Sequence, residues 1–184
     1  ANYCGRLWWM LKWAGHENVA LLDGGLEAWH EAGGVVTSGP ATTHPPRTFV
    51  LAAERAALVA AAEILKGLGR PSQSLVDARA SARFRGEVEP LDPVAGHIPG
   101  ALNRPFGQNI GANGKFKSPA ELNAEFSLLL AGRDPATVVH HCGSGVSAAP
   151  NIIAMEVAGF GRQALYAGSW SDWSSDASRP VAQG

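Results

Sequence analysis

The run from Thr137 to Tyr166 constrains the fold more than any other stretch of the chain. Thr137-Val138-Val139-His140-His141 is a short, mostly β-branched segment that reads as a strand, and it leads into the glycine turn Cys142-Gly143-Ser144-Gly145. An apolar helix through Ile152, Ile153 and Met155 then runs to Gly159, and Ala164-Leu165-Tyr166 reads as a further strand. Ser74-Leu75-Val76-Asp77 is a similar short, buried strand upstream. Strands alternating with helices predict an α/β domain with a central parallel sheet flanked by helices. In such sheets ligands bind beyond the carboxyl ends of the strands. Asp77 and Cys142 each end a strand, so both are expected at that edge.

Helix signals fill the intervals. Ala52 to Leu68 is alanine-rich and reads as one helix, ending at Gly67 or Gly69 with Pro71 beyond. Ser118-Pro119-Ala120-Glu121 is a helix start: serine as cap, proline at the first position and glutamate reaching back from the third. Leu122, Phe126, Leu129 and Leu130 follow at one-face spacing.

The chain also repeats itself. Gly15, Ala20, Leu21, Gly24 and Trp29 recur without a gap as Gly159, Ala164, Leu165, Gly168 and Trp173. Both segments read as helix end, short strand, glycine turn and a helix carrying tryptophan. The offset implies that residues 1–34 are the C-terminal remnant of a second domain of the same kind, most of which precedes this sequence. Its first helix carries Leu7, Trp8, Trp9, Met10, Leu11 and Trp13, apolar nearly all round, and its tryptophans are expected to lack most of their partners. Residues 35–47, with Gly39, Pro40, Pro45 and Pro46, read as a linker, leaving residues 48–184 as the domain that holds the strands and glycine turn described above.

Composition excludes several classes. Lys plus Arg total 15 against 16 Asp plus Glu, with no basic stripe to invite nucleic acid. The longest apolar runs, such as residues 56–62, fall far short of the ~18 residues of a membrane span. Cys4 and Cys142 are the only cysteines, too few for a disulfide framework, so a reducing cytoplasm is expected.

Cys142 is the candidate nucleophile. Thiolate is the reactive form, and a glycine-serine turn before a helix can stabilise it, with backbone N–H groups pointing inward and the helix dipole behind them. The same donors would steady a persulfide or an anionic sulfur donor. The plain alternative is an inert core cysteine, since free cysteine is among the most buried residue types. Phosphate-ester hydrolysis through a Cys-x5-Arg cradle is disfavoured, because the arginine position is Ala148.

Several stretches together resemble the rhodanese superfamily. Leu7-Trp8-Trp9-Met10-Leu11 and Leu22-Asp23-Gly24-Gly25-Leu26-Glu27-Ala28-Trp29 resemble the end of the non-catalytic N-terminal domain in its tandem-domain bacterial 3-mercaptopyruvate/thiosulfate sulfurtransferases. Asp77-Ala78-Arg79, Arg83-Phe84-Arg85-Gly86 and Gly96-His97-Ile98-Pro99-Gly100-Ala101 resemble the first half of their catalytic domain. Cys142-Gly143-Ser144-Gly145-Val146-Ser147 resembles the active-site loop, and Gly168-Ser169-Trp170-Ser171-Asp172-Trp173 the domain's close.

The resemblance implies a sulfurtransferase without a separate cofactor, in which sulfur travels as a covalent persulfide on Cys142. The donor is 3-mercaptopyruvate or thiosulfate, and the acceptor is cyanide or a thiol such as thioredoxin or a low-molecular-weight thiol. By the same resemblance Ser144 assists proton movement and Arg83 grips the donor's carboxylate. Gly143, Gly145, Val146 and Ser147 complete the substrate cradle. The Gly-Ser-Gly-Val form is similar to that of mercaptopyruvate users. The alternative is a non-catalytic rhodanese-like module that binds a partner or senses redox state.

Some residues depart from that pattern. No arginine stands in Glu89-Pro90-Leu91-Asp92-Pro93, where some relatives carry a second one; Arg85 and Arg104 are the substitutes at hand. Pro150 falls in the helix after the loop, tolerable only in its first turn. His140 and His141 are expected on opposite faces of their strand, so they do not form a metal site. His97 reads as a turn-fixing hydrogen-bonding residue, Asp77 as a brace for the loop, and Arg79 as either an ion-pair partner or a substrate contact. Cys4 reads as an inert core residue.

Overall fold

The computed structural model describes residues 2–184. Four parallel strands form the sheet: β1 (Ser74–Asp77), β2 (Leu102–Asn103), β3 (Val138–His141) and β4 (Ala164–Leu165), in the order β2-β1-β3-β4. The helices are α1 (Asn2–Trp13), α2 (Gly25–Glu31), α3 (Ala61–Gly67), α4 (Ser81–Phe84), α5 (Pro119–Leu130), α6 (Ala149–Val157) and α7 (Ser169–Ser174). β1 and β3 are central, and all of their residues are buried, the polar Ser74, Asp77, His140 and His141 included, so neither shows the alternation of a half-exposed strand.

The pleat sorts the core. Val76 and Val138 face α5 and α6, packing with Leu122, Phe126, Leu130 and Met155. Leu75 and Val139 face the other way, toward Ile64 of α3 and Trp170 and Trp173 of α7. α5 begins as its sequence dictates: the Ser118 hydroxyl accepts from the Glu121 N–H at 3.3 Å, and the Ser118 N–H donates to the Glu121 carboxylate at 2.9 Å. Pro150 lies in the first turn of α6, where its missing N–H removes no intrahelical bond.

Three expectations need correction. The single helix over residues 52–68 is only α3. Residues 57–59 instead lie along β4: the Leu165 N–H donates to the Ala57 carbonyl, and the Val59 N–H to the Leu165 carbonyl, each at 2.9 Å. An open strand edge outcompetes alanine's helical preference, because its backbone groups need partners. The strand read into residues 19–22 is irregular, with no sheet beside it among the described residues. The tryptophans of α1 do have partners: Trp8 and Trp9 are buried in the same cluster as Ile152 and Ile153 of α6, while Leu7 and Met10 face outward. β2, two residues long, carries no sequence signal of its own.

Candidate active site

The cleft at the carboxyl edge of the sheet is built by three segments. β3 ends at His141 and delivers Cys142. The turn after β1 carries Arg79 and leads into α4, which presents Arg83. The segment after β4 supplies Ser169 to Ser171 behind the loop. A cavity of about 300 Å³ lies between them, lined by Cys142, Gly143, Ser144, Ser147 and Ser171 on one side and by Arg83, Asp92 and Phe106 on the other. Gly145 and Val146 belong to the loop but do not line this cavity. Cys142 is 2% exposed, so its thiol meets solvent only through the cleft.

Backbone bonds fix the base of the loop. The Trp170 N–H donates to the Cys142 carbonyl and the Ser171 N–H to the Gly143 carbonyl, each at 2.9 Å. The Cys142 N–H donates to Ser169 Oγ at 3.1 Å, and that hydroxyl donates in turn to the Tyr166 carbonyl at 2.9 Å. Ser169 is wholly buried and holds φ at +56°, a left-handed conformation that costs a side-chain-bearing residue energy. Gly145 is required outright: at φ +73° a Cβ would come within 2.3 Å of the Ala167 carbonyl oxygen. Beyond Cys142 carbonyls of the loop are partnered, that of Gly143 by the Ser171 N–H, of Gly145 by Arg6 Nη1 and of Val146 by the Ala149 N–H. Its amides are not: no acceptor among the described residues takes those of Gly143, Ser144, Gly145 or Val146.

Arg83 is held by acids rather than standing open. Nη2 bonds Glu89 Oε1 at 2.5 Å and Asp92 Oδ2 at 3.2 Å, and Nε reaches Glu89 Oε2 at 3.3 Å. Nη1 is left facing the loop, 3.5 Å from where a Cβ on Gly143 would stand. Burial works to raise the Glu89 carboxyl, but its bonds to Arg83 and to the Leu91 and Asp92 amides outweigh that and hold it below the ordinary carboxylate range. Arg79 also lines the cleft, and its donors are taken up by acids and a carbonyl. It pairs with Asp77 at 2.7 Å, bonds Glu89 at 3.2 Å and the Gly96 carbonyl at 2.6 Å, and lies 4.6 Å above the Trp170 ring. The ion-pair reading of Arg79 is realised, and its place on the cleft wall keeps the substrate-contact reading open. Asp77 bonds Arg79, and no bond from its side chain to the Cys142 loop is seen among the described residues.

The substitutes for a second arginine are elsewhere. Arg104 is buried against Asn109 and Glu125 and lies 4.9 Å over the Phe126 ring, while Arg85 is paired with Glu87 on the surface. His140 and His141 are on opposite faces: His140 Nε2 stands 3.2 Å from Met155 Sδ, and His141 lies beside Tyr166. Burial lowers both, His140 to about 3, so each is a neutral imidazole. Among the described residues no group of three His, Cys, Asp or Glu is placed to hold a metal ion. His97 bonds the Phe84 carbonyl at 2.8 Å and stacks on the Phe84 ring, as a turn-fixing residue should. Cys4 is exposed, not a core residue.

Ser169, Ser171, Asp92 and Phe106 are site residues that the sequence reading assigned no role. The signal for the serines was present in Gly168-Ser169-Trp170-Ser171, but nothing local says that a serine after β4 will reach a loop after β3.

Comparison with known proteins places the site in a family. Residues 60–176 match the rhodanese-like domain. The chain is 49% identical to a probable 3-mercaptopyruvate sulfurtransferase of Pseudomonas aeruginosa, over 99% of this chain and 64% of that protein. It is 44% identical to a putative thiosulfate sulfurtransferase of Mycobacterium tuberculosis, over 97% of this chain and 62% of the relative. The chain thus spans less than two-thirds of the length of these curated relatives. Among solved structures, an anaerobic ergothioneine biosynthesis enzyme from Chlorobium limicola superposes with a TM-score of 0.85 at 25% identity, covering 98% of this chain and 45% of that one. With the strand, loop and helix around Cys142 arranged as described, and the family match running through all of them, the chain belongs to the rhodanese-like domain family.

Proposed function

We propose that the protein is a sulfurtransferase working through a Cys142 persulfide. The observation that carries this reading is the thiol at the base of a cleft whose loop offers four successive amides without an acceptor of their own among the described residues. Such a nest suits an anion, and a thiolate, a persulfide and an anionic donor are all anions. The names of the relatives support 3-mercaptopyruvate or thiosulfate as donor.

The Cys142 thiolate attacks the donor's transferable sulfur, the outer sulfur of thiosulfate or the thiol sulfur of 3-mercaptopyruvate, forming an S–S bond as the donor's S–S or C–S bond to that sulfur breaks. Pyruvate, after taking up a proton, or sulfite departs. The acceptor, either cyanide or a thiolate such as that of thioredoxin or a low-molecular-weight thiol, then takes the outer sulfur and leaves Cys142 as a thiolate. Arg83 Nη1 directs the donor's carboxylate, and the Ser144 hydroxyl, which lines the cleft, moves the proton to the leaving group. Gly143, Gly145, Val146 and Ser147 shape the cradle. The sulfur carrier is the cysteine itself, with no added cofactor, in the reducing cytoplasm that keeps the thiol available. Among the described residues no helix is long and apolar enough to cross a membrane.

The rival is a non-catalytic binding or redox-sensing module; the 2% exposure of Cys142 suits a thiol that does not turn over, but it disfavours a sensor, whose cysteine must be reached by oxidant. Incubation with 3-mercaptopyruvate or thiosulfate and dithiothreitol separates the two. Sulfide should form, with pyruvate from the first donor, and Cys142→Ser should abolish it. Donor alone should add one sulfur atom to the mass of the Cys142 peptide. Equal turnover by Cys142→Ser would overturn the proposal.

A further inference from the structure

The nucleophile loop is gripped from a part of the chain that lies far from it in sequence. Arg6, on α1, donates from Nη1 to the carbonyl of Gly145 at 2.9 Å. Its guanidinium lies 5.4 Å from the Trp9 ring one turn along, and Trp9 is itself buried, so the arginine is steadied from below. The approach depends on Gly5. A Cβ there would meet Ile153 Cδ1 at 3.3 Å and both Ala149 Cβ and Pro150 Cδ at 3.6 Å, so the missing side chain lets α1 settle closely on the first turns of α6. That close crossing brings position 6 to the loop.

Holding this carbonyl has a geometric consequence. In a planar trans peptide the C=O of one residue and the N–H of the next point in opposite directions. Fixing the Gly145 carbonyl toward Arg6 therefore turns the Val146 N–H away from it. That amide is one of the four without an acceptor among the described residues. The Gly145 backbone is confined on another side by the Ala167 carbonyl, so the peptide has little room to flip. Arg6 also brings a full positive charge to a loop read as an anion cradle. Arg6 does not line the cleft.

We propose that Arg6 is a positioning residue of the nucleophile loop, orienting the Gly145–Val146 peptide so that its N–H serves an anion bound at Cys142. The proposal rests on reading Cys142 as a nucleophile in an anion cradle. It makes α1 part of the working machinery of a site built otherwise from residues 77–171.

The test uses the full chain with Arg6→Met and Arg6→Gln, and reads a quantity independent of sulfur transfer. Cys142 is alkylated by iodoacetate, an anion, and by iodoacetamide, its neutral counterpart, with the site resolved by peptide mass so that Cys4 does not intrude. The ratio of the two rates reports how well the loop receives negative charge. In Arg6→Met the ratio should fall about tenfold, the scale of one hydrogen bond to a charged group. Arg6→Gln, which keeps an N–H donor without the charge, should recover most of that loss and guards against a methionine variant that merely loosens α1. An unchanged ratio in Arg6→Met overturns the proposal. So does a glutamine variant no better than methionine, because charge alone would then account for the effect. A parent Cys142 that reacts with neither reagent overturns the cradle and the role of Arg6 together. If the ratio falls as expected while the parent transfers no sulfur, the positioning role stands and the sulfurtransferase reading fails.

Discussion

Two segments, Gly15–Trp29 and Gly159–Trp173, share a sequence pattern and take up different structures. In the second, residues 164–165 form β4, paired on one side to β3 and bridged on the other by Leu58, and Trp170 and Trp173 are fully buried. In the first, residues 19–22 are irregular, and Trp29 at the end of the pattern is 42% exposed. The difference lies in the neighbours, not the local code: a strand of this length is stable only beside a partner. The two also differ at one aligned position. Gly25 holds φ at +64°, and its counterpart Ser169 holds φ at +56°. The same backbone geometry is met by a glycine in one segment and by a strained serine in the other. The serine's hydroxyl is what links the Cys142 N–H to the Tyr166 carbonyl.

That comparison can be broken most forcefully at its tryptophans. Trp173→Ala should cost about 3–5 kcal/mol in chemical denaturation, as for any large aromatic removed from a packed core. Equal losses from Trp173→Ala and Trp29→Ala would sink the contrast. At the aligned glycine and serine, Ser169→Ala should lose about 1–3 kcal/mol, because the Cys142 amide is left buried without its acceptor. Ser169→Gly should lose less, since glycine relieves the backbone strain, yet both should slow sulfur loading of Cys142. A glycine variant less stable than alanine would show that the positive φ carries no strain.

The strand beside the second segment carries a pH dependence. His140 binds its proton at about 3 when folded, below the ordinary 6.5, so between those values the unfolded chain binds more protons. Stability should therefore fall as pH drops from 6.5 toward 3, by at most about 1.4 kcal/mol per pH unit for that one proton. His141 adds in the same direction. Denaturation midpoints measured across that range for the parent and His140→Gln should show a shallower slope in the variant. The smallest effect belongs to Trp29→Ala, expected below about 1 kcal/mol because the ring is partly exposed and bonds only the nearby Val35 carbonyl.

Much of the fold was legible where local chemistry and tertiary context agree. The Ser118 cap, the two central strands and the glycine turn after β3 are each specified within a few residues, and strand ends fix the edge on which Asp77 and Cys142 meet. Legibility failed where a distant partner decides. The stretch from Ala52 to Ala60 has a helical composition, but its residues 57–59 lie against β4. Leu102–Asn103 becomes a strand only because β1 stands beside it. At the site, Cys142 was readable from its own turn, while Ser144, Ser147 and Arg83 were reached only through the family resemblance; all four line one cleft. That Arg83 is tied to Glu89 and Asp92 was not readable, because both acids arrive on a loop whose path the sequence leaves open. Arg104 looked available by type, yet burial against the Phe126 ring and a bond to Glu125 remove it.

The order of the strands also sets which parts of the cleft can breathe. Cys142 follows β3, a strand flanked on both sides, whereas the wall carrying Arg83 is α4, a single turn on the side of the sheet that ends in two-residue β2. Local opening starts where backbone bonds are few and propagates least into a doubly paired strand. In amide hydrogen exchange β3 should be among the slowest segments, and residues 81–92 should exchange well before it. The nucleophile is thereby mounted on the rigid side of the cleft. Entry and exit of small molecules fall to the motion of the opposite wall, on a timescale set by α4 rather than by the cysteine.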